Sequence, residues 1–176
     1  DGALVAKFTA AAGVNAILCL GSGSDIVVVV GTFAGNVRFY SVLQEQEVLA
    51  VQFATGGAVN CMACAMNDTR LCVGGQSGTI AVYEVNMQSG SGDEQQGDEQ
   101  PPKGADAGGG DESAPATAIF VRELLTFRCS GPVLSAAMPE SGAFIVAGGE
   151  SKVLELWSLA SVHTPHHRHQ GGGGGA

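Results

Sequence analysis

Apolar and polar residues alternate with a period of two along most of this chain. Short glycine-, asparagine- or aspartate-containing stretches interrupt the alternation at regular intervals, as in half-buried strands joined by tight turns. The clearest stretch runs from residue 47 to residue 85. There "EVLAVQF" predicts a strand ending at Phe53, "ATGG" a turn, and "AVNCMACA" the next strand. "MNDT" then turns, "RLCVGG" extends, "QSG" turns and "TIAVYEV" closes. The segments "GTFAGNVRFY" and "GGESKVLELW" carry the same order of turn and strand. No helical periodicity of useful length interrupts them.

The pattern repeats in register. Phe8, Phe53 and Phe127 each stand six residues before a valine, Val14, Val59 and Val133. From Val59 to Tyr83 and from Val133 to Trp157 is 24 residues, and from Val14 to Tyr40 is 26, with the two extra residues assigned to the "LGSGSD" turn. Tyr40 and Tyr83 are 43 residues apart, and Tyr83 and Trp157 are 74 apart, which is the same period plus an insertion of 31. Short strands repeating at about 40 residues are the mark of propeller blades. Gly31, Gly74 and Gly148 recur at one turn position and Gly35 and Gly78 at a second, where positive φ or close backbone approach is expected. Lys152 takes the second position in the third unit, so that turn is expected to change type or to carry strain.

With these strands and turns the chain resembles the WD-repeat β-propeller family over about four fifths of its length. The resemblance rests on the valine-led strand, the "MPESG" turn, "LCVGG" and "IVAGG", and "VLELWSL". It implies an all-β fold, a partial β-propeller of three four-stranded antiparallel blades with a disordered acidic insertion. Residues 1–87 hold the first two repeats, 88–118 the insertion, 119–161 the third repeat and 162–176 a His/Gly-rich disordered tail. The family's glycine and histidine before the first strand are missing, its turn aspartate is replaced by Ala34, Ser77 and Ser151, and only Trp157 keeps the tryptophan. The blades are therefore degenerate, held by apolar packing rather than by a buried His, Ser, Asp and Trp network. "ALVAKFTA" is the outer strand of a preceding blade, and no convincing fourth strand follows "LELWSLA". Closed propellers have about four to eight blades. The chain, which opens on Asp1 without an initiator Met, thus reads as a fragment whose ring is completed by the rest of the propeller or by a second copy.

Composition narrows the role. The 176 residues are 45% hydrophobic, enough for a core. Of the net charge of −9, −6 lies in one stretch, where Asp93, Glu94, Asp98, Glu99, Asp106, Asp111 and Glu112 meet only Lys103. No basic face exists to neutralise phosphates, which argues against nucleic-acid binding. No apolar run reaches a membrane span of about 18 residues. Five cysteines without a secreted-domain spacing point to a reducing compartment, cytoplasmic or nuclear.

Candidate chemistry mostly dissolves on inspection. "CMAC" at Cys61 and Cys64 has metal or redox spacing, but on a strand those side chains point to opposite faces. "GSGSD" and "GGESK" fit neither phosphate-loop pattern. His163, His166, His167 and His169 lie in a glycine-rich tail without a frame. No histidine precedes residue 163 and no carboxylate pair clusters, so neither catalytic, cofactor nor metal residues are expected. The reading is a noncatalytic protein-interaction scaffold within a multiprotein assembly. Its partners are other proteins, docking on the loops between second and third strands and between blades, with Phe33, Gln76, Glu150, Thr55 and Arg128 as contacts. The alternatives are a substrate-recruiting module of an enzyme complex, or a binder of basic proteins through the acidic insertion.

Overall fold

The computed structural model describes residues 2–23, 25–52, 57–88 and 117–159. These residues form eleven strands and no helix. In chain order they are β1 (Val14–Leu20), β2 (Val27–Thr32), β3 (Asn36–Ser41), β4 (Gln46–Gln52), β5 (Val59–Ala65), β6 (Arg70–Gly75), β7 (Thr79–Gln88), β8 (Ala118–Arg128), β9 (Val133–Ala137), β10 (Phe144–Gly149) and β11 (Leu154–Ser158). They make three antiparallel meanders, β1-β2-β3-β4, β5-β6-β7-β8 and β9-β10-β11. Each alternating run from residue 14 onward has become one strand, whereas "ALVAKFTA", expected as an outer strand, forms none, because the described residues include no preceding sheet whose edge it could join, and only Phe8 packs, against Tyr40.

The third sheet departs from the four strands expected. Among the described residues it has three, because only Leu159 follows β11, and its N–H is taken by the carbonyl of Ala143. The extra residues of the first repeat do lie between β1 and β2, whose connection Gly21–Ile26 is two residues longer than Met66–Thr69 between β5 and β6. The acidic insertion joins the third and fourth strands of the middle sheet. Its residues 89–116 lie outside the described residues, as do the His/Gly-rich tail and Phe53, while β7 and β8 pair as far as Gln88 opposite Ala118.

Alternation puts one face of each strand toward each neighbouring sheet. Leu20, Val29, Val37 and Phe39 of the first sheet meet Val59, Leu71, Val73 and Tyr83 of the second in one buried cluster. Cys72, Ile80 and Val82 on the other face of the second sheet meet Val133, Ile145 and Ala147 of the third. The middle sheet is therefore covered on both sides. Cys64 packs against the first cluster and Cys61 lies in the second, so the CMAC thiols diverge as the period of a strand requires. Burial raises Cys61 and Cys64 to about 11, which keeps both protonated near neutral pH.

Recurrent aromatic residues hold consecutive units together. Phe127 in β8 stacks on Trp157 in β11 with ring centroids 4.9 Å apart, and Phe8 lies 5.1 Å from Tyr40 in β3. Trp157 Nε1 and Tyr40 Oη are buried without a hydrogen-bond partner among the described residues. The clasp is made by ring against ring.

The tight turns keep one conformation despite their different residues. Gly35, Gly78 and Lys152 have φ of 81°, 77° and 61°, and their N–H groups donate to Thr32, Gly75 and Gly149. Of the two outcomes expected for Lys152, strain is the one found. A left-handed conformation costs a residue with a Cβ about 1 kcal/mol. Lys152→Gly is accordingly expected to raise the unfolding free energy by about that amount in urea titration, with the turn unchanged.

Candidate protein-binding face

Antiparallel meanders place every second turn at the same end of the sheets. The turn between β2 and β3, that between β6 and β7, and that between β10 and β11 share this end with the connections that lead from one sheet to the next. They are in contact in alternation. Gly35 abuts Gly57, Gly57 abuts Ser77, Gly78 abuts Gly131, and Gly131 abuts Ser151. Close backbone approach explains the glycines, since a Cβ at Gly35 would stand 2.7 Å from the Gly57 carbonyl oxygen and one at Gly78 3.0 Å from that of Gly131. The result is one continuous surface of turns and connections.

Hydrogen bonds fix this surface from beneath. Asn15 Nδ2 in β1 donates to the Val59 carbonyl at 3.0 Å, and Asn60 Nδ2 in β5 donates to the Val133 carbonyl at 2.9 Å. The two residues follow equivalent valines, so each first strand is tied to the next by the same bond. Asn15 also reaches Asn60 Oδ1, and Asn60 reaches Gln76 Oε1. The third repeat carries Leu134 at this position, and the ladder ends there. A second tether holds the connection between the second and third sheets. Glu155 Oε1 accepts from Ser130 N–H at 2.7 Å and from Ser130 Oγ at 2.6 Å, and these bonds hold the Glu155 carboxyl below its ordinary pKa.

The five residues expected to contact partners separate on this frame. Phe33 tops the first turn and is 62% exposed, with its N–H bound to the Gly13 carbonyl and its ring against Gly13. Gln76 holds the equivalent place in the second turn, with its N–H bound to the Ala58 carbonyl and its Oε1 engaged by Asn60. Glu150 is exposed in the third turn, and Arg128 is exposed at the end of β8, opposite Thr79. Thr55 lies outside the described residues. Asn15, Asn60 and Glu155 were not among the expected residues. The recurrence of Val-Asn at 14–15 and 59–60 was the signal for two of them.

Known proteins extend this picture to fold alone. No protein-family model and no curated protein matches the sequence. Solved structures do match. The RRP9 WD40 repeats superpose with a TM-score of 0.59 at 14% identity, over 87% of this chain and 37% of that one. A chain of the mitotic checkpoint complex gives 0.58 at 17% identity, over 92% and 40%. A chain of the Chaetomium thermophilum Polycomb repressive complex 2 bound to GSK126 gives 0.55 at 16%, over 82% and 26%. The chain thus spans less than half the length of each of these. Three consecutive antiparallel meanders packed face to face, the repeated turns and these superpositions together identify the fold as that of a degenerate, partial WD-repeat β-propeller.

Proposed function

We propose that the chain is a noncatalytic protein-interaction scaffold, a segment of a larger WD-repeat propeller in a multiprotein assembly, and that it binds through the face of turns described above. The observation that carries the reading is Phe33. Its backbone is pinned by Gly13, yet its ring stands largely in solvent on a turn whose equivalents carry the polar Gln76 and Glu150. A rigidly held, exposed aromatic is the type of residue that anchors interfaces. Arg128 and Glu150 supply exposed charge at the same end of the sheets. The acidic insertion follows the end of β7 opposite this face. Structural neighbours from the mitotic checkpoint complex and Polycomb repressive complex 2 accord with a role in assembly. Five free cysteines accord with a cytoplasmic or nuclear setting.

The test is Phe33→Ala in the intact protein. Loss of an anchor of this kind costs about 2 kcal/mol, which predicts a roughly thirtyfold weaker partner affinity. Thermal stability is expected to stay within a degree or two of wild type. An equal loss of both would assign Phe33 to the core.

A further inference from the structure

The outer half of the middle sheet runs on past β6 as a two-stranded ribbon. β6 pairs with β7 only as far as Arg70 opposite Glu84, and Val85 N–H donates to the Thr69 carbonyl. Beyond that point Asn86, Met87 and Gln88 of β7 pair with β8 alone, opposite Phe120, Ile119 and Ala118. One face of the ribbon is anchored, since Val85 belongs to the first cluster and Met87, Ile119 and Val121 pack against it. The other face is open. Phe120 stands on it 57% exposed, with exposed Ala118 and Arg122 to either side along β8, and Glu84 holds Arg122 at 2.7 Å.

β8 is also the outer edge of a sheet that has a neighbour on each face. β1, β5 and β9 lie together on the inner side, and among the described residues no backbone group of β8 bonds to anything but β7. Every second residue of an antiparallel edge strand turns its N–H and C=O away from its partner. Such a row is a template for another strand, and natural edges are guarded by bulges, short strands, proline or lysine. β8 has a bulge at Leu124, where the register shifts between Val82 and Tyr83. From Ala118 to Glu123 the register is regular, whereas β4 offers only Gln46 and Glu47 below its own bulge. This stretch of β8 holds no proline or lysine, and its one cation, Arg122, is tied back to Glu84.

We propose that the β8 edge from Ala118 to Glu123 takes an extended, basic segment of a partner protein as a further strand of the middle sheet. Main-chain pairing supplies the affinity, and Phe120 supplies a cross-strand contact for an aromatic or β-branched side chain. Charge selects the segment. The chain that leads into Ala118 carries −6 between residues 93 and 112, with only Lys103 against seven acidic residues, so lysines or arginines at the end of the segment beside Ala118 complement it. The ordering cost on this side is small, because packing against the first cluster already holds the edge straight. The edge lies at the end of β7 opposite the turn face, and the inference goes beyond the proposed function and does not depend on it.

A library of random dodecapeptides displayed on phage and panned against the whole chain tests it. Enriched sequences are expected to join a run of alternating aromatic or β-branched residues to lysines or arginines at one end. A synthetic copy of an enriched peptide then reports the mode of binding by fluorescence anisotropy. Methylating its amide nitrogens at alternate residues should weaken binding by about tenfold or more for one alternate set and change little for the other, since only one edge of an added strand pairs with β8. Phe120→Lys, at an exposed position, should also cost about tenfold. Replacing the seven acidic residues between 93 and 112 by their amides should weaken binding and flatten its dependence on salt. Phe33→Ala should leave it unchanged. Should Phe120→Lys alter the circular dichroism spectrum, the methylated peptides decide alone. Failure to enrich basic, alternating sequences, equal effects of the two methylated sets, full binding to a folded Phe120→Lys chain or to the amide variant, or loss of binding in Phe33→Ala would each overturn the proposal.

Discussion

Gly74→Val is expected to destabilise the chain by about 3 kcal/mol, the upper end for forcing extra methyl groups into a packed core. Gly74 is not kept by its backbone angles, since its φ is not positive. It is kept by crowding. A Cβ there would stand 2.7 Å from Cys61 Sγ and 2.8 Å from Val133 Cγ1, and Val133 is buried at the start of the next blade. Gly31 meets Val59 in the same way one repeat earlier, so this glycine lets the first strand of each blade close on its predecessor. Gly148 is the control. Its Cβ would meet mainly Leu154 Cδ2 at 3.1 Å, the end of an exposed side chain that can move aside. Gly148→Val is therefore expected to cost less than about 1 kcal/mol. Urea unfolding of the two variants checks the contrast, and equal losses would show that the glycine serves its own turn rather than the boundary between blades.

The same comparison shows what could be read from the chain alone. Repeating glycine, valine and aromatic positions were visible because each is dictated by local alternation or by a contact that recurs at every boundary. The strands, their meander order and the divergence of Cys61 and Cys64 followed from that periodicity. The conformation of the third turn did not, because Lys152 has two ways to fit and only the packing of its neighbours selects the left-handed one. The loop between β5 and β6 was equally opaque. "MNDT" signalled a turn, but Met66, Asn67 and Asp68 all adopt positive φ, with φ of 56°, 52° and 64°. Neighbouring blades hold them there, since Met66 N–H donates to the Glu140 carbonyl, Asn67 N–H to the Glu140 carboxylate, and Asp68 accepts from Gly21. Such strain persists only where surroundings over-determine it. On the candidate face, exposed Phe33 was singled out as the exception to a polar position. The asparagine ladder and the Glu155 tether escaped notice because hydrogen bonds between blades depend on which backbone a neighbour presents, which alternation does not encode.

Because each sheet packs only on its neighbours, damage at one boundary should stay near it, as in proteins whose stability is a sum of repeat and interface terms. Ile145→Ala is the sharpest test. Ile145 is fully buried in the cluster between the second and third sheets, and truncating such a residue costs about 2–5 kcal/mol. Among the described residues the third sheet is covered on one face only, whereas Leu71 of the doubly covered middle sheet lies in the first cluster. Ile145→Ala should thus release β9, β10 and β11 first. In hydrogen exchange, amides of β10 should lose protection by at least about thirtyfold, the factor that 2 kcal/mol represents, while those of β2 and β3 change little. Leu71→Ala, of similar size, should instead lower protection in the first and second sheets together. Uniform loss in both variants would mean that the three blades unfold as one unit and that the boundaries do not act as separate interfaces.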